Sequence, residues 1–426
     1  MLENIDVLIY FEHKVRELDA CLLLKCQLEI LGFSVKVLPV HRNRYLNVLK
    51  YRPKILILPY LFADDNDRLL VEFRRCYGDV LCLNMHHEQF YGDFTKSHFM
   101  PKNEVSRAVY HLSWGVNFAK DLMAYKVKAE NIFIDGNPRT DNFYLALSNE
   151  IARFKSKYKH IIFIPSSFGF AFSTDEQIMR AGLDMTKFAS QKSLSRKTVA
   201  VFFPIIRNLA KRFPEYQFVF RPHPYDSFQD YIDQFSSCLE RPLEDNIKFI
   251  REGNVYEWIK ISDLTIGWLT TVNVEASAFN KNNIVFHPVP VPENNTMSFI
   301  SLYDKVYTKE EELVSIIENI STFRDENSKL KTFLKSSFGN SDGNVNKRLA
   351  CFVKNILESN QITSSYRGRL LCVLFKSLVI DLVKNLLIVS KLIFVLKKSF
   401  NKIKEDLMSD DDINRYFNEL KCRIAD

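Results

Sequence analysis

The sequence lacks C-x-x-C pairs and long uncharged apolar runs. Its eight cysteines are scattered, which argues against a structural zinc site or a disulfide framework and favours reduced thiols in a cytosolic protein. No stretch reaches about eighteen uncharged apolar residues, so we expect no transmembrane helix. The opening MLENIDVLIYFEHKV is acidic with only a short apolar run, and we expect no signal peptide.

The sequence also lacks internal repeats and low-complexity linkers. Its 46% hydrophobic and 26% charged residues are typical of a globular protein, and 426 residues suffice for two domains plus an appendage. The net charge of +7 is mild. The basic residues near the C-terminus follow an apolar helical pattern without interleaved aromatic residues, which disfavours nucleic-acid binding.

Strand and helix patterns alternate in two successive regions. The strand patterns are DVLIYF, SVKVLPV, KILILPY, DVLCLNM and NIFIDG, and then HIIFIPSS, YQFVF, NIKFI, DLTIG and NIVFHP. This alternation predicts parallel, doubly wound sheets. We therefore predict an α/β protein in which two Rossmann-like domains, residues 1–155 and 156–360, face a central cleft. A basic amphipathic helical tail, residues 361–426, follows.

The second region carries a candidate phosphate site. In YQFVFRPHP, two prolines stiffen the turn that presents Arg221 and His223 at the carboxyl end of a strand, where ligands of such sheets bind. In ISDLTIGWLTTVNVEA, Thr270 or Thr271 is a suitable N-cap for a helix that carries Glu275. The N-terminus of that helix suits a phosphate group. A plain stiff turn is the alternative interpretation of the Arg-Pro-His-Pro loop.

Charged loops follow the strands of the first region. Glu12 and Arg16 follow the first strand, Glu88 lies in HHEQF, and Asp135 and Asp141 lie in DGNPRTDNF. Charged groups at one edge of a parallel sheet are candidates for an acceptor-binding or catalytic face. Ordinary surface charge and a solvated loop are the alternatives.

The run His86-His87-Glu88 does not indicate a metal site. Consecutive side chains point in different directions, and no further His or Cys lies at ligand spacing. We expect no metal and no bound cofactor.

The tail resembles a helix that lies on a membrane. Between residues 366 and 404, Leu, Ile, Val and Phe occupy most positions, and one narrow polar stripe contains Ser377, Asp381, Lys384, Lys391, Lys398 and Lys402. This pattern favours an interfacial helix with lysines directed to lipid head groups. A helix pair packed on the protein body or on a second copy is the alternative.

Five motifs in this order, KVRELDA, HHEQF, GNPRTD, RPHP and SDLTIGWLTTVNVEA, resemble a family of bacterial surface-carbohydrate glycosyltransferases with the two-domain GT-B fold. The resemblance covers roughly residues 5–290. The relatives include the capsule and lipopolysaccharide β-Kdo transferases. The alditol-phosphate polymerases of teichoic acid synthesis are more distant relatives. The resemblance to the β-Kdo transferases implies a metal-independent enzyme that transfers Kdo, or a related CMP-activated acid sugar, to a growing O-antigen or capsule glycan. Such an enzyme would be cytoplasmic, on the inner face of the cytoplasmic membrane, with a lipid-linked or oligosaccharide acceptor.

The resemblance also implies roles for the donor-side residues. Arg221 and His223 would contact the donor phosphate. Thr270 and Thr271 would add hydroxyl and N–H donors to it, and Glu275 would bind the ribose or orient the site.

On the acceptor side, the resemblance to a retaining enzyme implies Asp141 as nucleophile, with Asp135 as its substitute. Glu88 would be the acid/base for the acceptor. Glu12 and Arg16 would bind the acceptor or the sugar carboxylate.

Two alternatives remain. The teichoic-type polymerases usually show an Asp-Tyr-Ser-Ser-like sequence where this chain has Gly267-Trp268-Leu269-Thr270-Thr271, which favours a sugar donor over a CDP-alditol. A CDP-alditol phosphotransferase is nevertheless the second candidate. A non-catalytic nucleotide- or sugar-binding protein of an assembly complex is the third.

Overall fold

The computed structural model describes residues 2–61, 65–90, 96, 99–166, 168–175, 185–223, 226, 229, 232–233, 244–292, 295, 298–324, 327–360, 379, 381–383, 385 and 406–425. The chain divides into two compact units. Unit 1 contains Met1–Phe90, Phe94–Ala146 and Lys335–Asp426, and unit 2 contains Leu147–Leu334.

Unit 1 is built on a six-stranded parallel sheet. Its strands are β1 (Glu3–Phe11), β2 (Val35–Pro39), β3 (Tyr51–Leu58), β4 (Leu81–Asn84), β5 (Tyr110–Ser113) and β6 (Ile132–Ile134), in the order β2-β1-β3-β4-β5-β6. In register, Val7 of β1 pairs with Val35 on one side and Ile55 on the other. The strand order reverses between β1 and β3, the point at which such sheets bind ligands.

The helices of unit 1 that precede residue 146 are α1 (Asp19–Ile30), α2 (Leu46–Lys50), α3 (Asp65–Tyr77), α4 (Glu104–Arg107) and α5 (Val116–Ala124). A π-helical turn, Lys14–Leu18, leads into α1, and a 3₁₀ segment, Pro138–Tyr144, follows β6. Helix α1 ends before Gly32, whose φ of +87° is the left-handed conformation that glycine adopts readily.

Unit 2 is built on a second six-stranded parallel sheet. Its strands are β7 (His160–Ser166), β8 (Tyr216–Pro222), β9 (Ile247–Phe249), β10 (Leu264–Gly267), β11 (Asn283–Phe286) and β12 (Val306–Tyr307), in the order β12-β11-β10-β7-β8-β9. The helices are α6 (Asn149–Lys157), α7 (Gly169–Phe172), α8 (Met185–Arg212), α9 (Val255–Ile261), α10 (Val272–Ala278), α11 (Glu310–Glu318) and α12 (Ser328–Ser337). This is the strand order of dinucleotide-binding Rossmann sheets, with the switch point between β7 and β10.

The chain then returns to unit 1 in α13 (Val345–Ser359) and α14 (Asp410–Ala425). Helix α13 buries Val345, Leu349, Val353 and Ile356, which share one face at helical spacing, and it packs on α1. The contacts therefore place residues 335–360 in unit 1, whereas the sequence-based division assigned them to the second domain. The apolar face of α13 is the reason, since it is covered by α1.

The predicted fold class is confirmed: each unit is an α/β body around a parallel sheet. The sequence pattern missed β5 and β12. Strand β5 includes His111 and Ser113, both buried polar residues, so it shows no apolar run. Most of residues 366–404 lie outside the described part of the chain. Of the helices that the structure describes, none combines the length and apolar character needed to span a membrane.

Candidate functional site

Polar residues gather at the carboxyl ends of the unit 1 strands. Glu12 follows β1, Tyr60 follows β3, and His87 and Glu88 follow β4. Because β1, β3 and β4 are consecutive in the sheet, these side chains share one edge at the switch point. We call Glu12, His13, Arg16, Glu17, His41, Tyr60, His87 and Glu88 the acceptor-side cluster, after the acceptor-binding face that the sequence predicts at this edge.

Glu12 is held between two imidazoles and a phenol. The Tyr60 hydroxyl donates to Oε1 at 2.9 Å. His41 Nε2 lies 3.5 Å from Oε1, and His13 Nε2 lies 3.5 Å from Oε2. Burial tends to raise the pKa of Glu12, but the hydrogen bond with His41 and the charge of His13 outweigh it, so the pKa lies below its ordinary value. Glu12 is therefore a carboxylate at neutral pH.

The π-helical turn brings Arg16 and Glu17 into one network. Arg16 donates to Glu17 Oε1 through Nε at 3.1 Å and Nη2 at 2.8 Å, and its Nη1 lies 3.4 Å from Glu88 Oε2. The other Glu17 oxygen accepts the Glu12 backbone N–H at 2.7 Å. Turns of this kind inside helices are frequent at functional sites. The predicted residues Glu12, Arg16 and Glu88 are thus brought together.

Glu17 is fully buried, and the sequence analysis did not single it out. Burial alone would raise its pKa, but the charge that His87 gains in acid and the permanent charge of Arg16 lower the pKa to about 2. His87 is also buried, and desolvation lowers its pKa to about 4. Its Nε2 has no hydrogen-bond partner among the residues that the structure describes.

Unlike His87, His86 pairs with another histidine side chain. Its backbone has φ of +46°, and its Nε2 lies 2.8 Å from His111 Nδ1 in a buried, stacked pair. Within the described part of the chain, no group of three or more His, Cys, Asp or Glu side chains could hold a metal ion.

The structure places Asp135 and Asp141 in a different environment. Arg348 Nε lies 2.8 and 2.9 Å from the two Asp135 oxygens, and Asn340 Nδ2 donates to Oδ1 at 2.6 Å. The Asp135 carboxylate therefore anchors the returning segment of unit 1.

Asp141 caps α13. Its Oδ1 accepts the Val345 backbone N–H at 3.1 Å, and its Oδ2 accepts the Asn346 backbone N–H at 2.7 Å and the Asn346 amide at 2.9 Å. Burial raises its pKa despite these bonds. With both oxygens engaged by a helix N-terminus, the geometry supports a capping role. No sequence signal links GNPRTD to a helix about two hundred residues later.

In unit 2, Arg221 joins the end of β8 to the loop that precedes α9. Its Nη1 donates to the Glu252 carbonyl and its Nη2 to the Gly253 carbonyl, each at 2.7 Å. His223 follows β8 and is exposed. The guanidinium thus fixes the loop from which the imidazole projects.

The start of α10 is also fixed locally. Thr270 Oγ1 accepts the Val272 backbone N–H at 3.3 Å, while Thr271 makes no side-chain capping bond. Glu275 is buried within the helix. His287, which the sequence analysis did not single out, follows the adjacent strand β11 and is buried, and desolvation lowers its pKa to about 4.

Comparison with known proteins shows the fold. No protein-family model and no curated protein sequence matches this chain. The structure of the wall teichoic acid polymerase TagF is similar, with a TM-score of 0.55 and 12% identity, over 84% of this chain and 90% of that one. MnaA of S. aureus, solved with UDP, has a TM-score of 0.51 and 14% identity, over 86% of this chain and all of that one. The UDP-GlcNAc 2-epimerase of Neisseria meningitidis, bound to UDP-GlcNAc, has a TM-score of 0.50 and 10% identity, over 83% of this chain and all of that one. The chain therefore has a GT-B-like α/β fold with two Rossmann-like units.

Proposed function

We propose that this protein is a glycosyltransferase that uses a nucleotide-activated sugar donor. The observation that carries the proposal is the acceptor-side cluster. An ionised carboxylate, Glu12, lies between two imidazoles and a phenol at the switch point of the sheet, with the Arg16–Glu88 pair beside it. Such a set of donors and acceptors can bind and orient the hydroxyl groups of a glycan.

We assign the donor to unit 2. His223 and Thr270 lie at the carboxyl edge of its Rossmann sheet, where nucleotides bind in such sheets. UDP in MnaA and UDP-GlcNAc in the Neisseria epimerase are precedents for nucleotide ligands on a similar fold. Arg221, Thr271 and Glu275 support this site as neighbours of the donor phosphate and ribose.

The chemistry assigned to the cluster is activation of the acceptor. The acceptor hydroxyl loses its proton to Glu88, its oxygen bonds to the anomeric carbon, and the bond from that carbon to the phosphate oxygen breaks. The departing nucleotide keeps the electron pair, and His223 stabilises the phosphate. The capping contacts of Asp141 favour Glu12 and Glu88 over Asp141 and Asp135 as the working carboxylates.

The finer assignment is Kdo, or a related acid sugar, transferred from a CMP donor to a growing O-antigen or capsule glycan. It is supported by the motif resemblance. A cationic residue such as Arg16 beside the acceptor-side carboxylates is suited to the sugar carboxylate. The second candidate, transfer of an alditol phosphate from a CDP donor, is supported by the similarity in fold to TagF.

The test is a donor panel. The full chain is incubated with CMP-Kdo, CDP-glycerol and UDP-GlcNAc, with and without a Kdo-terminated glycolipid, and nucleotide release is measured. We expect acceptor-dependent release from CMP-Kdo. Release from CDP-glycerol alone would establish the second candidate, and release from none would overturn the proposed transferase.

Three variants assign roles in the same assay. His223→Ala and Glu88→Gln are expected to lower kcat by about a hundredfold or more. Asp141→Asn is expected to lower thermal stability by about 1 kcal/mol, the usual effect of a lost helix cap, while the folded protein keeps its kcat. Loss of kcat in a stably folded Asp141→Asn protein would restore Asp141 as the nucleophile.

We also propose that the tail holds the enzyme at the inner face of the cytoplasmic membrane. Within the tail, Asp381 accepts the backbone N–H groups of Tyr45 and Leu46 at 2.6 and 3.1 Å, at the start of α2. Val379, Leu382 and Val383 beside it are exposed. Asp381, which the sequence analysis placed in the polar stripe directed to lipid, therefore faces unit 1 instead. The exposed apolar side chains beside it support the proposal that the segment lies on lipid.

A further inference from the structure

The C-terminal segment reaches the acceptor-side cluster through one buried carboxylate. Asp406 lies 393 residues from His13 in sequence, yet its Oδ2 is 3.2 Å from His13 Nδ1. Its Oδ1 accepts the Lys14 backbone N–H at 2.6 Å. Both Asp406 and His13 are buried. Because each carboxylate oxygen has its own partner, Asp406 is fixed in one orientation.

The other nitrogen of His13 faces Glu12. With Nε2 3.5 Å from Glu12 Oε2, the three side chains form a continuous line, Asp406–His13–Glu12. An imidazole with one proton can donate to only one of two carboxylates, and it donates to both only when doubly protonated. The contact with Asp406 therefore governs which N–H group His13 can present to Glu12.

We propose that Asp406, acting through His13, positions Glu12 to bind the acceptor glycan, so that the C-terminal segment is part of the acceptor site. Asp406 is a positioning residue, because it contacts His13 and Lys14 while Glu12 carries the contact with the acceptor. The identity of the acceptor rests on the proposed function, whereas the line of contacts does not. His41, Tyr60 and Arg16 also face Glu12, so the line adds to an existing set of partners.

The same segment is attached to unit 1 at a second place. Asp410 Oδ2 lies 3.3 Å from both Lys36 Nζ and Lys50 Nζ, and Arg42 donates to the Leu407 carbonyl at 3.0 Å. Asp410 is therefore a matched control. It is a carboxylate in the same segment, and its partners Lys36, Lys50 and Tyr51 lie in β2, α2 and β3 rather than in the acceptor-side cluster.

The first measurement is NMR of the full chain with ¹⁵N-labelled histidine rings, with His13→Gln used to assign the signal. In the native protein we expect a proton on both His13 nitrogens, with Nδ1–H donating to Asp406 and Nε2–H donating to Glu12. Asp406→Asn keeps an oxygen for the Lys14 N–H and places an amide N–H against Nδ1, so Nδ1 should lose its proton and become an acceptor. Asp410→Asn should leave the signal unchanged. A native His13 without a proton on Nδ1, or an unchanged signal in Asp406→Asn, would overturn the proposal.

The second measurement is transfer from CMP-Kdo to a Kdo-terminated glycolipid. We expect Asp406→Asn to lower kcat/KM for the glycolipid roughly tenfold to a hundredfold, as for loss of a hydrogen bond to a charged group. Asp406→Glu should recover part of that loss, and Asp410→Asn should stay within about twofold of the native protein. Equal losses in Asp406→Asn and Asp410→Asn would mean that Asp406 only anchors the segment, which overturns the proposal.

The two measurements separate the two ideas. If the native protein transfers nothing but the His13 proton responds to Asp406→Asn, the proposed donor is wrong and the line of contacts stands. If Asp406→Asn does not fold, the His13 signal of the native protein decides alone.

Discussion

Glu17 is the residue on which the geometry of the acceptor-side cluster depends. It is fully buried; one oxygen accepts from Arg16, and the other accepts the backbone N–H groups of Glu12 and His13. Removing one partner of a buried ion pair leaves the other charge uncompensated. Glu17 therefore supports the conformation of the whole turn after β1.

We predict that the contribution of Glu17 to stability depends on pH. Its folded pKa of about 2 lies below the ordinary value of 4.5, so the stabilisation is present above the ordinary value and is lost as pH falls toward 2. Glu17→Gln should lower the free energy of unfolding by about 3 kcal/mol at pH 7 and by about 1 kcal/mol at pH 3. Urea unfolding at the two pH values measures this.

The control is Glu29→Gln in α1, which removes the partly exposed pair with Lys25. It should cost under about 1 kcal/mol at both pH values. A Glu17→Gln penalty that is the same at pH 7 and pH 3 would contradict the assigned pKa.

The sequence predicts the placement of a residue where its position after a strand decides that placement. Glu12 and Arg16 follow β1 and Glu88 follows β4, two parallel strands with β3 between them, so topology brings these residues to one edge of the sheet. Asp406 was missed, because no sequence pattern relates a residue near the C-terminus to a loop after the first strand. The helix that Asp141 caps was unforeseen for the same reason.

At the scale of elements, the connection between α12 and α13 is held tightly against β5 and β6. Gly136 forms bridges with Gly339 and Asn340. Gly339 has φ of +70°, and a Cβ there would lie 1.9 Å from the Trp114 carbonyl oxygen. The sequence FGNSDGNVN predicted only a polar break, since composition does not reveal a close backbone approach.

We predict that Gly339→Ala is much more destabilising than Gly32→Ala. Both glycines have positive φ, but a Cβ at Gly32 has nothing within 4 Å. Gly32→Ala should therefore cost about 1 kcal/mol for the left-handed backbone alone, and Gly339→Ala more than about 3 kcal/mol because the backbone must also shift. Equal thermal unfolding temperatures for the two variants would contradict the close approach.

At the scale of the whole molecule, unit 1 is made from both ends of the chain. The N-terminal part of the chain supplies all six strands of the sheet. Helices α13 and α14, from the C-terminal part of the chain, pack on α1. A chain cut at residue 360 would lose the whole tail, which includes Asp406 and α14 as well as the apolar segment. Membrane binding is therefore better tested by substitution than by truncation.

We predict that the tail lysines support binding to anionic lipid. Replacing Lys384, Lys391, Lys398 and Lys402 with serine should weaken co-sedimentation with phosphatidylglycerol vesicles by about a thousandfold, since each lysine near such a surface contributes about 1 kcal/mol. The control replaces four exposed lysines elsewhere, namely Lys120, Lys128, Lys157 and Lys211. If both sets weaken binding equally, general charge and not the tail binds the vesicles.

The return of the chain to unit 1 also sets the order of events during synthesis. Domains generally fold as units while the ribosome adds residues from the N-terminus. Unit 2 is complete once Leu334 has been made. Unit 1 begins earlier in the chain but is complete only after Lys335–Asp426 has also been made. Until Val345–Ser359 has left the ribosome, the face of α1 that α13 covers stays exposed to chaperones. A polypeptide terminated between Leu334 and Val345 would carry a complete unit 2 and an incomplete unit 1.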